Sequence, residues 1–468
     1  MSDPRSRIPS IDALLSSPEA GAMMADAGRE QVAKAFRTAV ADMRDAIAQA
    51  DESAAGFVED PTWYVRRAGE VLSVAAVPSL RRVINATGVV LHTNLGRAPL
   101  ADEALEAMRS TATYSNLEFD LAAGVRGSRY AHCVQLLRDL TGADDALVVN
   151  NAAGALVLSM STVGMGQGVA VSRGELVEIG GGFRIPEVIE RSGASLIEVG
   201  STNRTRPGDY EAVVETGEAT AILKVHRSNF RMTGFTEQAS LADLVDIGSR
   251  HDVPVVHDLG SGLMIAADTL GLPEEPRATA SIAAGADAVI VSGDKLMGGP
   301  QAGVIVGKAE LIDRMRKNPL CRALRVDKVT LAGLEATLRL YLDPERVVAR
   351  IPTLRMLAMD EDALRAVAEE VAGMLEAGGV PCDVVSTLGA VGGGTYPGVE
   401  LPSWAIEVDG PSGAEALAGA LRTGAPPVVG RIVEDRLRLD VRTLLPGEHE
   451  IVAARVVEVF SSSRSDVA

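Results

Sequence analysis

The chain has 468 residues, which is too long for one compact core and predicts two or three domains. Hydrophobic residues make up 47% and charged residues 23% of the sequence, values typical of soluble globular proteins. The formal net charge of -18 argues against non-specific nucleic-acid binding, although it allows a local basic patch. No apolar run is long enough to cross a bilayer and the first residues lack a secretory-signal pattern, so the cytoplasm is the expected location.

The cysteine and histidine spacings give no indication of a disulfide framework or a metal site. Cys133, Cys321 and Cys382 lie far apart and form no CxxC pair, so we expect three buried structural thiols. His251 and His257 also lack metal-ligand spacing. The sequence therefore predicts no bound metal.

Residues 1–75 are expected to form a helical N-terminal domain, interrupted by a break at Pro61. Their apolar residues recur at helical spacing after Ala27 and would form one buried stripe. The stripe consists of Val32, Phe36, Val40, Met43 and Ile47. The region carries no recognisable catalytic residues, so by itself it indicates a small helical domain or a dimerisation arm.

Seven short apolar runs in the middle of the chain predict a buried, mainly parallel sheet of seven strands. Helix-like stretches such as the one from Ser240 to His251 separate the runs, and this alternation is typical of α/β domains. The runs are 146–150, 169–172, 195–200, 221–226, 253–258, 288–293 and 303–307. Residues 76–345 are therefore expected to form a large α/β domain that binds its ligand at the carboxyl ends of the strands.

The pattern changes after about residue 350 to helix, strand, strand, helix, strand, strand and helix. Residues 428–445 predict an antiparallel hairpin that turns at Glu434 and Asp435. Residues 346–468 are therefore expected to form a smaller α+β domain at the C-terminal end of the chain.

Two polar features follow predicted strands in the large domain. Asn150, Asn151 and Ala152 open an apolar helix, where small residues let backbone N–H groups approach an anion. An ordinary capped helix is the alternative. Asp258 ends the run 253–258 and could cap the next segment. It could also keep a pyridine nitrogen protonated, because a nearby opposite charge typically shifts a pKa by about 1–3 units.

Lys295 follows the run 288–293 and precedes the glycine-rich segment 298–303. Burial lowers the pKa of a lysine, which favours the free amine that Schiff-base formation needs. A surface-loop lysine is the alternative, and the glycines make it less favoured. The ordered triple of helix start, Asp258 and Lys295 is typical of fold-type I pyridoxal-phosphate enzymes. It predicts an aminotransferase-like fold with pyridoxal 5'-phosphate held by Lys295.

Nine stretches spread over nearly the whole chain carry a closer resemblance. They are INATGVVLHTNLGRAPL (84–100), YSNLEFDLAAGVRGSRY (114–130), VVNNAAGALVL (148–158), SRGELVEIGGGFRIPEV (172–188), VGSTNRT (199–205), VHRSNFRMTGF (225–235), HDLGSG (257–262), SGDKLMGGPQAG (292–303) and LCRALRVDK (320–328). In these stretches the chain resembles the bacterial selenocysteine synthase family, the L-seryl-tRNA(Sec) selenium transferases.

The resemblance implies a reaction of serine esterified to tRNA(Sec). The serine would pass through an aminoacrylyl intermediate, to which selenium from selenophosphate would add. Lys295 would hold the pyridoxal phosphate and remove the Cα proton, while Asp258 would keep the ring nitrogen protonated. Asp294 is also implicated by the match, although it could simply cap its loop.

The resemblance also implies that arginines hold the phosphate-like selenium donor, at the matching positions Arg97, Arg322 and Arg325. A planar guanidinium suits oxyanions, although a solvated helix face is the alternative for Arg322 and Arg325. His226 ends the run 221–226. It would stack on the cofactor, orient the substrate, or be an ordinary strand-end histidine.

The resemblance further implies that residues 1–75 bind tRNA and that the chain forms a homo-oligomer, a decameric ring of dimers. Acidic and basic residues largely offset each other there, so tRNA contacts would need arginines brought together by folding. Two other functions remain open. A related pyridoxal-dependent lyase would act on a small free amino acid or amino sugar, but such relatives tend to lack the helical N-terminal domain. A non-catalytic tRNA-binding scaffold would not need Asp258 and Lys295.

Overall fold

A computed structural model describes residues 4–49, 56–180 and 182–465 of the chain. The chain divides between Arg82 and Val83 into two compact units. Within the described ranges, no helix is both long enough and apolar enough to cross a membrane.

The first unit is helical in the part that the structure describes, as the apolar spacing predicts. Its helices are Ile11–Leu15, Pro18–Ala27, Arg29–Ala48 and Pro61–Ala76, preceded by the 3-10 helix Pro4–Arg7. Of the predicted stripe, Ile47 is half-buried and the other four residues are buried in the core of this unit. Pro61 begins a helix, and the Asp60 side chain accepts a hydrogen bond from the Thr62 N–H at 2.9 Å.

Among the described residues, the strands all belong to the second unit, and they are named here in chain order. They are β1 (Ile84–Asn85), β2 (Val89–Leu91), β3 (Phe119–Asp120), β4 (Val125–Arg126), β5 (Asp145–Val149), β6 (Gly168–Ser172), β7 (Glu178–Ile179), β8 (Phe183–Arg184), β9 (Ser195–Val199), β10 (Ala221–Val225), β11 (Val255–Gly260), β12 (Ala288–Ser292), β13 (Gly303–Gly307), β14 (Cys382–Gly392), β15 (Thr395–Val408), β16 (Val428–Val429), β17 (Arg431–Val433) and β18 (Arg436–Asp440).

The helices of this unit pack on the sheets or connect their strands. They are Asp102–Thr111, Ala131–Thr141, Ala152–Gly164, Ile185–Arg191, Pro207–Glu215, Leu241–His251, Ala278–Ala283, Ala309–Lys317, Pro319–Ala323, Lys328–Leu340, Val347–Arg350, Pro352–Ala358, Glu361–Ala377, Ala414–Thr423 and Glu448–Ser465. The 3-10 helices are Thr93–Leu95, Arg173–Glu175, Ala267–Leu270 and Val441–Thr443.

A seven-stranded sheet forms the centre of the unit, with strand order β5-β13-β12-β11-β10-β6-β9. Its neighbours are parallel except for β13, which is antiparallel to both β12 and β5. Every residue of β6, β12 and β13 is buried, as expected for strands covered on both faces. The predicted seven-stranded, mainly parallel sheet is thus confirmed.

A second sheet has five strands in the order β17-β18-β15-β14-β2. The predicted hairpin is present, because β17 pairs antiparallel with β18 and Glu434 and Asp435 turn the chain with φ of 50° and 61°. Residues 84–91, which precede the large sheet in sequence, pair instead with this part of the chain. β1 joins β16, and β2 joins β14.

The three cysteines are free thiols. Cys133 and Cys321 are buried as expected, whereas Cys382 is only half-buried. The expectation of three buried thiols was therefore wrong for Cys382, which begins the long strand β14 and contacts the Ala372 carbonyl oxygen at 3.8 Å.

Replacing Gly303 with alanine should destabilise the second unit. The added methyl group would lie 2.1 Å from the backbone oxygen of Asn151, and side-chain rotation cannot relieve a clash with backbone. Overpacking of this kind typically costs about 1–3 kcal/mol of unfolding free energy, which urea unfolding would measure. Gly373→Ala is the matched control, because its methyl group meets nothing within 4 Å and adds helix propensity. Equal stabilities of the two variants would contradict this account.

Candidate active site

The carboxyl ends of β5, β10, β11 and β12 lie at one edge of the large sheet. β13 runs back between β12 and β5, so Gly303 pairs both with Ser292 and with Val149. The segment after β12, which carries Lys295, therefore lies beside the turn after β5. The topology explains why polar residues distant in sequence meet at this edge.

Asp258 and Lys295 converge at this edge and are both buried. A methyl group placed on Gly260 would lie 3.7 Å from Lys295 Nζ and 4.0 Å from Asp258 Oδ1, so both groups border the same small space. Burial raises the pKa of Asp258 to about 6, against the attraction of Lys295 and His226. Burial also lowers the pKa of the Lys295 amine, although Asp258 opposes this shift.

Asp294 connects the lysine to Arg97. Its carboxylate accepts a hydrogen bond from Arg97 Nη1 at 2.7 Å and another from the Ser292 hydroxyl at 2.7 Å. Arg97 adopts a left-handed backbone conformation with φ of 63°, which is unusual outside glycine and is often found at functional sites. Asp294 thus positions a guanidinium close enough for its charge to lower the pKa of Lys295.

A cavity of about 740 Å³, which we call the Arg97 cavity, opens beside this pair. Asn150, Asp294 and Arg325 also line it. Arg325 Nε is buried without a hydrogen-bond partner among the described residues, and its Nη1 lies 3.8 Å from Glu118. Arg322 is exposed on the helix Pro319–Ala323 and is not among the residues that line this cavity.

The turn after β5 is built by a capped helix. The Asn151 side chain accepts a hydrogen bond from the Gly154 N–H at 2.7 Å, and Ala152 is the first residue of the helix. The side chain of Asn151 is therefore used as a cap, while the helix start presents N–H groups to the site edge. Asn150 is fixed through its own N–H, which donates to the Leu324 carbonyl oxygen at 3.1 Å.

His226 lies next to Asp258 at this edge. Its backbone N–H donates to the Asp258 carbonyl oxygen at 2.8 Å, and its ring Nε2 lies 3.0 Å from Glu275 Oε1. His226 and Glu275 line a second cavity of about 710 Å³, which we call the His226 cavity. Burial lowers the pKa of Lys295; the charge of Arg97, which lines the first cavity, lowers it further, and the charge of Glu275, which lines the second, opposes the shift.

Sequence reasoning missed three contributors to this site. Glu275 is buried, yet in the sequence it belongs to a Glu-Glu pair that resembles an exposed loop. Tyr396 also lines the His226 cavity, and burial raises its pKa while its hydroxyl has no partner among the described residues. A methyl group on Gly394 would lie 3.9 Å from Lys295 Nζ. In the sequence, the glycine run 392–394 is the feature that could have indicated Gly394 and Tyr396.

The side chains and backbone N–H groups at this edge of the sheet fit pyridoxal phosphate. A buried lysine with a lowered pKa offers an amine for the aldehyde, and a fully buried carboxylate offers a partner for a protonated ring nitrogen. The helix start at Ala152 offers N–H groups for a phosphate. Gly260 and Gly394 leave room beside the amine, where a Cβ would approach it.

One cluster of possible metal ligands lies away from this edge. Ligand atoms of Glu211, Glu215 and His251 lie within 4.8 Å of one another. Arg250 forms an ion pair with Glu211 and neutralises part of its charge. Because of these contacts, we interpret the cluster as a surface ion-pair network.

The fold is shared with a solved enzyme structure. The structure of D-glucosaminate-6-phosphate ammonia-lyase matches with a TM-score of 0.56 over 82% of this chain and 97% of that chain, at 21% sequence identity. This likeness, with the buried lysine and carboxylate at the strand ends, confirms the aminotransferase-like fold.

A family model described as L-seryl-tRNA selenium transferase matches residues 83–445, and a model of the selenocysteine synthase N terminus matches residues 5–44. The chain belongs to the L-seryl-tRNA selenium transferase family. The resemblance inferred from the nine sequence stretches is confirmed.

Curated relatives match over almost their entire length. An L-seryl-tRNA(Sec) selenium transferase from Solidesulfovibrio magneticus is 48% identical over 459 residues, covering 95% of this chain and 96% of the relative. Relatives of the same name from Moorella thermoacetica and Geobacter sulfurreducens are 47% and 46% identical. They cover 98% and 97% of this chain, and 97% and 99% of their own lengths.

Replacing Asp258 with asparagine should remove a pH-dependent loss of stability. The folded-state pKa of about 6 exceeds the usual value of about 3.9, so this group's stability contribution is full below pH 4 and lost as pH rises through 6. The difference in unfolding free energy, wild type minus variant, should fall by about 1 kcal/mol between pH 5 and pH 7.5. Urea unfolding of the cofactor-free protein measures it, and a difference independent of pH would contradict the burial of an ionisable group.

Proposed function

We propose that this chain converts seryl-tRNA(Sec) to selenocysteinyl-tRNA(Sec), with pyridoxal phosphate as cofactor and selenophosphate as selenium donor. The observation that carries the proposal is the convergence of buried Lys295 and Asp258 on the same small space at the strand ends. Family membership and the names of the curated relatives support the choice of substrate. The matching N-terminal family model favours this function over a lyase acting on small free substrates.

Lys295 would hold the cofactor, Asp258 would face its ring nitrogen, and Asn150, Asn151 and Ala152 would border its phosphate. When bound, pyridoxal phosphate supplies an electron sink for the charge left at the serine Cα. His226 lines the cavity next to Asp258 and would lie against the cofactor ring, with its own ring oriented by Glu275.

Lys295 would move the Cα proton. Burial lowers the pKa of its amine and so favours the free amine, which is the form that a general base needs. Burial keeps bulk water away from this nitrogen, since the residue is only 6% exposed. Asp294 would act as a positioning residue by holding Arg97 beside the lysine.

The Arg97 cavity would receive the selenium donor, which is a small oxyanion. Arg97 and Arg325 line it, and guanidinium groups bind such anions through paired N–H donors. Arg325 Nε has no partner among the described residues, as expected for a donor available to a ligand. The proposed contribution of Arg322 has less support, because this residue is exposed outside the cavity lining.

The remaining proposals concern the assembly. Residues 1–75 would bind the tRNA body, residues 76–345 would carry the cofactor, and residues 346–468 would form the small domain. Copies of the chain would form a homo-oligomer of dimers, with a decameric ring as the expected size, in the cytoplasm. Light scattering of the purified chain measures that size.

Substituting Lys295 with alanine should abolish the visible absorption band that wild-type protein develops with pyridoxal phosphate. The substitution removes the buried amine that would bind the aldehyde, so selenium transfer to seryl-tRNA(Sec) should also disappear. Lys317→Ala is the control, since that lysine is exposed and pairs with Asp313 on a helix. Lys317→Ala should keep the band, and a visible band that survives in Lys295→Ala would refute the assignment.

Substituting Arg325 with alanine should raise the KM for selenophosphate without changing the affinity for seryl-tRNA(Sec). Loss of one charge-assisted anion contact typically costs about 1.5–3 kcal/mol, which corresponds to roughly a 10- to 100-fold effect. Arg97→Ala should act in the same direction, and Arg322→Ala should have a smaller effect because of its exposed position. Steady-state kinetics with varied selenophosphate test this, and equal KM values for wild type and Arg325→Ala would contradict it.

A further inference from the structure

Tyr396 brings a buried hydroxyl group to the reaction site, and the proposed chemistry does not use it. The residue is only 4% exposed and lines the His226 cavity. Its hydroxyl has no hydrogen-bond partner in the described parts of the chain. Buried polar groups normally have a partner, because leaving one unpaired costs free energy. The hydroxyl is therefore available to a ligand.

The backbone holds Tyr396 in an unusual conformation. Its φ of 49° is a left-handed value that is unfavourable for a bulky side chain. The preceding glycines 392–394 also have positive φ, between 61° and 79°. The Thr395 hydroxyl closes this turn by donating to the Gly392 carbonyl oxygen at 2.5 Å. Residues held in such conformations are concentrated at functional sites, which favours a functional role for Tyr396.

The same turn borders the reacting amine. A methyl group on Gly394, two residues before Tyr396, would lie 3.9 Å from Lys295 Nζ. Glu275, which also lines the His226 cavity, acts through its charge on both the Lys295 amine and the Tyr396 hydroxyl. The hydroxyl and the amine are thus both near one buried carboxylate. A serine whose amine took the place of Lys295 Nζ would lie close to Tyr396.

The Tyr396 hydroxyl is suited to donate a hydrogen bond. Burial raises the pKa of Tyr396, and the charge of Glu275 raises it further, so the group stays protonated at neutral pH. The seryl group offers two oxygens as acceptors, its β-hydroxyl and its ester carbonyl. The β-carbon has to meet the selenium donor, whose proposed ligands Arg97 and Arg325 line the Arg97 cavity. The ester carbonyl is therefore the acceptor that remains for a residue of the His226 cavity.

We propose that the Tyr396 hydroxyl donates a hydrogen bond to the carbonyl oxygen of the ester that joins serine to the tRNA. This inference rests on the proposed function, because the ester belongs to the aminoacylated tRNA. When Lys295 removes the Cα proton, part of the negative charge left at Cα spreads onto this oxygen. A donor fixed in a buried site stabilises charge that develops during a reaction. Tyr396 is thus a catalytic residue for proton removal.

Tyr396→Phe tests the proposal, because it removes the hydroxyl and keeps the ring. The kcat for selenium transfer to seryl-tRNA(Sec) should fall about 100-fold, as is typical when one such donor is lost. Proton removal should then limit the rate, so serine deuterated at Cα should react clearly more slowly than ordinary serine. The visible band with pyridoxal phosphate and the stability of the cofactor-free protein in urea should match those of wild type, because the hydroxyl has no partner to lose.

Tyr210→Phe is the matched control. The Tyr210 hydroxyl is also buried, but it accepts a hydrogen bond from the Ser172 N–H at 3.0 Å. This variant should lose stability in urea, because the Ser172 N–H is left unpaired, and should keep the wild-type kcat.

Three results would contradict the role of Tyr396. The first is a wild-type kcat in Tyr396→Phe, and the second is a lowered kcat without an isotope effect. The third is a loss of both stability and the visible band in this variant, which would assign the hydroxyl a structural role. A wild-type protein without selenium transfer would instead refute the proposed function, and this inference with it.

Discussion

The burial of an amine beside a carboxylate is the constraint on which the site depends. Taking either charge out of water is costly, so burial raises the pKa of Asp258 and lowers that of Lys295. Their mutual attraction only partly offsets these costs. Such a pair is well suited to a ligand that offers a cation to the carboxylate and a carbonyl to the amine, because that ligand would satisfy both groups at once.

The sheet topology sets the position of this pair, and the glycines make room for it. β13 returns antiparallel between β12 and β5, which brings Lys295 close to the helix start at Ala152. Gly303 permits the close packing, since a Cβ there would meet the Asn151 backbone. Two cavities with different linings lie near the pair. Arg97, Arg325 and Asp294 line one of them, and His226 with Glu275 lines the other.

Much of the fold could be predicted from the sequence because its signals are local. The apolar runs of the seven strands correspond to the observed strands to within about two residues at each end, and the hairpin turn at Glu434 and Asp435 is where the pattern places it. The pairing of strands that are distant in sequence produces no local pattern of this kind. The pairing of β1 with β16 and of β2 with β14 depends on tertiary packing, so it could not be inferred from the residues around Ile84 or Val89.

The site, like the fold, could be predicted only where its signals are local in the sequence. Asp258 and Lys295 could be predicted because each follows or ends an apolar run that predicts a strand. The structure brings them together with four other predicted residues, Asp294, Arg97, Arg325 and Asn150. Glu275 comes from a loop and Tyr396 from the start of β15, and the burial of both depends on the whole fold. Arg322 and Arg325 are close in sequence and were indistinguishable by pattern, yet only Arg325 lines the cavity.

The central claim is that Asp258 holds a cofactor ring nitrogen in its protonated form. Nitrogen-15 NMR of the full chain loaded with pyridoxal phosphate labelled at that nitrogen reports its protonation directly. The account predicts a protonated nitrogen in the wild-type protein at neutral pH and an unprotonated one in Asp258→Asn. An unprotonated nitrogen in the wild-type protein, or the same signal in both proteins, would contradict it.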